Sequence, residues 1–160
     1  MKSIALGFMI CCAVFVLAAV EAAAAPLRKK EEAEAPGYRD EILLDAIAQV
    51  ESANNPLAIG AAGERTEYQF MAATWSQYTR VPFIFAGRDR LLSRQVAREH
   101  LAWLRRELVA RGFGDSPEVL AAGWRFGADN ARGSRRVDSS QRVANLYVDF
   151  LHARQAKGLR

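Results

Sequence analysis

Beyond residue 38 the apolar positions recur at helical spacing. Leu43, Ile47 and Val50 fall on one stripe of a short helix that starts near Asp40 and is stopped by Asn54-Asn55-Pro56. Residues 57–65 are rich in Gly and Ala without helical period and read as a loop, followed by a second short helix from about Met71 to Tyr78. Ala97, Leu101, Leu104 and Leu108 mark the longest helix, closed by Gly112 and Gly114. Ser116-Pro117-Glu118 is a helix start, with a capping hydroxyl and Pro at the first position, and that fourth helix ends at Gly127. A polar loop at 129–136 precedes a last helix opened by Asp138-Ser139-Ser140, whose Val143, Leu146, Tyr147, Phe150 and Leu151 share a face. Only residues 81–85 suggest a strand, and Pro82 argues against a central one. The pattern predicts a small all-α domain with one core.

The N-terminal segment is of another kind. A short basic start, Met1-Lys2-Ser3, leads into an unbroken apolar run at 4–20 and then an alanine run before Pro26. That order is expected of a secretory signal peptide over residues 1–25, with a retained membrane anchor as the competing reading. Residues 26–37 carry opposite charges between prolines and one large apolar residue, which suits a linker ahead of a domain at 38–160. Cleavage after Ala24 or Ala25 would remove Cys11 and Cys12, the chain's 2 cysteines. The mature protein would then have no disulfide, thiolate metal site or cysteine nucleophile.

Charge narrows the partners. With 22 Lys+Arg against 18 Asp+Glu the chain is only mildly cationic, at +4. Arg132, Arg135 and Arg136 cluster in one loop and Arg105-Arg106 lie on the long helix. An exported N-terminus and so small an excess argue for contacts with acidic envelope polymers, or plain solvation, over nucleic acid. His100 and His152 have no ligand-spaced partners, so neither a metal nor another cofactor is expected.

Candidate chemistry centres on Glu51, directly after the first apolar stripe. The negative end of a helix dipole and partial burial both disfavour a charged carboxylate, which is what a general acid near neutral pH requires. An ordinary exposed surface glutamate is the alternative on position alone. Around it run Val50-Glu51-Ser52-Ala53-Asn54-Asn55-Pro56 and then Gly63-Glu64-Arg65-Thr66-Glu67-Tyr68-Gln69-Phe70-Met71-Ala72-Ala73-Thr74-Trp75. Further on stand Gly123-Trp124-Arg125-Phe126-Gly127 and Tyr147-Val148. In these four pieces, taken in order over residues 42–151, the chain resembles the lysozyme-like superfamily, and specifically the catalytic domain of soluble lytic transglycosylases. The Gln69-Phe70 and Thr74-Trp75 portion also resembles the resuscitation-promoting factors of that superfamily.

The resemblance implies a goose-type-lysozyme-like helical domain with a cleft between helices. Its activity would be cleavage of the β-1,4 bond between N-acetylmuramic acid and N-acetylglucosamine in peptidoglycan, in the periplasm or outside a bacterial cell. Glu51 would be the single acid and then base, and no cofactor is implied. The glycan strand would be the partner of a monomer, with membrane contact only through an uncleaved signal segment. Ser52, Gln69, Trp124 and Tyr147 would have supporting roles: Ser52 and Gln69 near the scissile sugar, Trp124 against it, and Tyr147 orienting Glu51 or serving only as core. Three positions depart from the family. Thr66 replaces a glycine, and its Cβ makes a left-handed backbone costly. Glu67 replaces an apolar residue and Arg125 an asparagine. Glu67 is open to two roles, a salt bridge to a nearby arginine or a second carboxylate directing water in a hydrolytic lysozyme. Charged residues at these places are also compatible with a silent domain that binds glycan or helps assemble an envelope machine. Trp75 and Trp103 read as core.

Overall fold

The computed structural model describes residues 36–131 and 138–158. The signal-like segment, most of the linker and the arginine cluster at 132–136 lie outside the described residues. Among the described residues five helices follow in order: α1 (Pro36–Ser52), α2 (Ala72–Tyr78), α3 (Arg90–Ala110), α4 (Pro117–Phe126) and α5 (Asp138–Gly158), with a 3-10 turn at Phe83–Phe85. Among the described residues there is no strand, only the isolated antiparallel bridges Ile59 to Arg65 and Arg65 to Phe70. The expected all-α domain is the observed one, and in the 81–85 segment, where a strand was the alternative, Phe83–Phe85 form a 3-10 turn.

Most of α1 is sunk in the core. Ile42, Leu43, Leu44, Ala46, Ile47 and Ala48 are all buried, so the helix is wrapped on more faces than the expected stripe of Leu43, Ile47 and Val50. Its only half-buried member in that run is Asp45, and an ion pair explains how a carboxylate is tolerated there: Arg94 Nη1 lies 2.6 Å from Asp45. Arg94 binds Glu41 as well, through Nη2 at 2.6 Å, and donates to the Tyr68 hydroxyl at 2.9 Å. One guanidinium thus joins α1, α3 and the loop that carries Tyr68.

Along α3, Val96, Ala97, Leu101, Leu104 and Leu108 face the same core. Asp89 caps its start, accepting from the Leu91 and Leu92 amides. After its end Gly112 turns left-handed at φ +74° while the Phe113 amide reaches back to the Leu108 carbonyl at 2.9 Å. Helix α4 lies directly on α3 because Gly123 presents no side chain: a Cβ there would stand 2.9 Å from Leu108 Cδ1. The Ser116 hydroxyl accepts from the Val119 amide at 3.3 Å, the cap foreseen from Ser116-Pro117. Helix α5 packs on α4 through Val143, with Leu146, Tyr147 and Phe150 beside it. No helix among the described residues is long and apolar enough to cross a membrane.

A second glycine closes the site's supporting loop. Gly87 has φ +85°, and a Cβ added to it would lie 2.0 Å from the Pro56 carbonyl oxygen. The segment after α1 is therefore clamped at Pro56. Gly87→Ala is expected to cost at least about 2 kcal/mol, from a strained φ plus a backbone clash that no rotamer relieves. The midpoint of urea unfolding checks this, and an unchanged midpoint would mean that the clamp yields freely.

Candidate active site

Helix α1 ends at Ser52, and the chain leaves it through two left-handed residues, Ala53 at φ +53° and Asn54 at φ +62°. The Asn54 amide returns to the Ala48 carbonyl at 2.9 Å, so the last turn is satisfied. Glu51 in that turn has a side chain only 10% exposed. It forms one wall of a cleft of about 530 Å³ that is also lined by Glu64, Tyr68, Gln69, Phe70, His100, Trp124 and Arg125.

The opposite wall is a tight loop. Arg65 and Phe70 exchange backbone hydrogen bonds at 2.9 and 2.8 Å, and the four residues between them make the turn. Thr66 in it does adopt the left-handed backbone, at φ +72°, although its branched side chain makes this costly. Local hydrogen bonds offset the strain. Its Oγ1 accepts from the Tyr68 amide at 3.1 Å, and its carbonyl accepts from Gln69 Nε2 at 2.9 Å. Gln69, at φ +52°, places its side-chain oxygen beside Gly60, where a Cβ would lie 2.6 Å from it and 2.3 Å from Glu64 Oε2. The absence of a side chain at residue 60 thus makes room for a carboxylate and an amide on the cleft wall.

Burial pushes the Glu51 carboxyl above its ordinary range. The Arg125 guanidinium, hydrogen-bonded to Glu51 Oε2 through Nη1 at 2.9 Å, works against that rise, and the charge of Glu64 adds to it. Desolvation prevails. The position supplies a carboxyl that holds its proton to higher pH than a surface glutamate and has one cationic neighbour within hydrogen-bonding distance.

Of the residues singled out in the sequence, Glu51, Gln69, Trp124 and Arg125 come together in the cleft. The Trp124 indole donates to the Tyr68 carbonyl at 3.1 Å, which ties α4 to the turn. Ser52, Glu67 and Tyr147 fall outside the lining. The Ser52 hydroxyl donates to the Glu67 carbonyl at 2.9 Å and accepts from the Asn55 amide at 3.1 Å, so these hydrogen bonds, made among the described residues, secure the loop rather than Glu51. Glu67 is 3% exposed, with Oε2 lacking any hydrogen-bond partner and Arg90 Nε 3.9 Å from Oε1. Burial raises its proton affinity too, but a carboxyl shut away from the cleft does not direct water within it. Tyr147 packs on the core and interacts electrostatically with Arg105, the residue paired with Asp40 at the other end of α1. Eleven residue steps along the helix, about 16 Å, separate Asp40 from Glu51. Of the tryptophans read as core, Trp75 is 1% exposed and bonds the Val81 carbonyl at 2.7 Å, while Trp103 is partly buried.

Glu64 and His100 line the cleft, though the sequence reading gave neither a role in the site. His100 has no ligand-spaced partner, yet its imidazole sits among Phe70, Trp103 and Trp124, at 4.9 Å from the Trp124 ring, with the Tyr78 hydroxyl 3.1 Å from Nδ1. The only available signal was its place one residue before the Leu101 core position. Burial lowers its pKa to about 4, leaving it neutral near pH 7. A group whose folded pKa is depressed contributes stability above its unfolded pKa of about 6.5 and loses it as pH falls through 4. His100 is thus expected to remove about 2–3 kcal/mol between pH 7 and pH 4, while Glu51 and Glu67, raised by folding, act in the opposite sense. Urea unfolding of His100→Phe should show a shallower loss toward acid than the wild type, and equal slopes would refute this.

No protein-family model matches the chain, and neither the curated proteins nor the solved structures searched include a match. Among the described residues no three His, Cys, Asp or Glu side chains gather as a metal site.

Proposed function

We propose that this is an exported peptidoglycan-cleaving enzyme of lytic transglycosylase type, with Glu51 as its acid and base. The observation that carries the reading is the setting of Glu51: a largely buried carboxyl at a helix end, on the wall of a sugar-sized cleft shared with Gln69 and Trp124. Protonated Glu51 would give its proton to the glycosidic oxygen as the bond to the muramic acid C1 breaks and positive charge spreads over that ring. The carboxylate left behind would accept the proton of the same sugar's 6-hydroxyl, whose oxygen closes on C1 as a 1,6-anhydro ring. Glu51 ends as it began, protonated, and no water is consumed. The Gln69 side-chain oxygen would contact the sugar by hydrogen bond and the Trp124 ring would contact its apolar face.

Digestion of purified peptidoglycan with mass analysis of the fragments tests this. Anhydro-ended fragments are the expected product. Reducing ends would mean hydrolysis, with Glu64 rather than the buried Glu67 as the second carboxylate in reach of the cleft. The ion pair of Arg125 with Glu51 favours one other reading, a silent lysozyme-like module that binds glycan strands. Its signature would be sedimentation with sacculi and no release.

A further inference from the structure

Arg125 occupies an unusual place for a cation, because among the described residues its side-chain hydrogen bond is spent on the group that the proposed chemistry needs protonated. It lies in the last turn of α4, where the helix dipole favours a positive charge, so the backbone helps to hold it at the cleft. Its side chain is 46% exposed where that of Glu51 is 10% exposed. The guanidinium therefore reaches from solvent into the cleft, and it contacts Glu51 through Nη1 alone. A guanidinium is a fork, and among the described residues its monodentate contact with Glu51 leaves the other edge without a hydrogen-bonded carboxylate.

We propose that Arg125 is the receptor for a carboxylate borne by the substrate, making the cleft selective for anionic over neutral glycan strands. This rests on the transglycosylase reading of the cleft. An arriving carboxylate would compete with Glu51 for the guanidinium. Each step Arg125 takes toward the ligand removes positive charge from beside Glu51, whose remaining charged neighbour in the cleft is Glu64. Binding the correct strand would thus also favour the protonated acid, and His100, neutral above its pKa of about 4, adds no charge that opposes this. Two sources offer the same chemistry: the stem peptide's carboxylates on intact strands, and the lactyl carboxylate that is freed when the peptide is removed.

Three substrates separate these cases: peptide-bearing strands, amidase-stripped strands, and neutral N-acetylglucosamine oligomers. For the wild type, kcat/KM on the better anionic strand is expected to exceed that on the neutral oligomer. Arg125→Gln should lower it about ten- to a hundredfold, chiefly through KM. On the neutral oligomer the same variant should lose less than on the anionic strand, so that the anionic-to-neutral ratio falls, and the alkaline limb of its pH profile should move upward because Glu51 has lost its cation. Which anionic strand suffers more identifies the carboxylate. An unchanged anionic-to-neutral ratio, or loss of activity on all three substrates alike, overturns the proposal. Strand sedimentation separates its fate from that of the enzyme reading. Retention of anionic strands that depends on Arg125, without cleavage by the wild type, keeps the receptor and ends the enzyme. Normal cleavage with an unaltered ratio in Arg125→Gln does the reverse.

Discussion

Glu51→Gln is expected to lower fragment release from peptidoglycan by roughly 10²–10⁴-fold, the range that a positioned proton donor contributes. The amide is nearly isosteric with the carboxyl and retains an oxygen to accept from Arg125 Nη1, so the cleft should keep its shape. Thermal stability should hardly change, and a small gain is reasonable because burial already disfavours the charge that the substitution removes. Both measurements are needed together. A variant that unfolds early would say nothing about chemistry, and one that is stable and turns over normally would end the assignment of Glu51.

Arg94→Ala carries the largest expected effect on stability, a loss of about 3 kcal/mol or more. The guanidinium binds Glu41 through Nε and Nη2 at 2.9 and 2.6 Å, Asp45 at 2.6 Å, the Tyr68 hydroxyl at 2.9 Å and the Glu41 carbonyl at 2.8 Å. Removing it leaves two partly buried carboxylates with reduced compensation, which costs far more than losing a surface pair. Arg98 and Arg154 would still hold one carboxylate each, at 2.5 Å, which keeps the loss from being larger. Because Tyr68 lines the cleft, the substitution should also blur the site, with activity falling more than the folded fraction does. Urea unfolding and activity at a temperature where the variant remains folded check the two parts. A loss below about 1 kcal/mol would show that the network behaves as an exposed one.

Local signals made the helices readable. The α4 start was legible because Ser116 and Pro117 act on their own helix, and the α3 stripe because Ala97, Leu101, Leu104 and Leu108 recur at helical spacing and are all buried in the core. Helix α1 was less legible, since a helix wrapped on several faces lacks a clean stripe and Asp45 and Glu41 depend on a partner about fifty residues away. In the cleft, Glu51 and Gln69 were marked by their surroundings in the chain. His100 and Glu64 were not, because what draws them in is contact with Trp124 and the space beside Gly60. Ser52 was expected near the chemistry, yet its hydroxyl serves the loop, while Tyr147, open to a role beside Glu51 or to plain core, packs on the core.

By itself the sequence determined the all-α class, the order and approximate ends of the helices, and the place of one acid at a helix terminus. These follow from periodicity, caps and breakers that operate within a few residues of each other. Only the tertiary structure decided which polar side chains share a cleft, that Thr66 adopts a left-handed backbone, and that Glu51 is bound to Arg125. Those outcomes depend on burial and on pairs of charges far apart in the chain, whose energies arise only once the helices have packed.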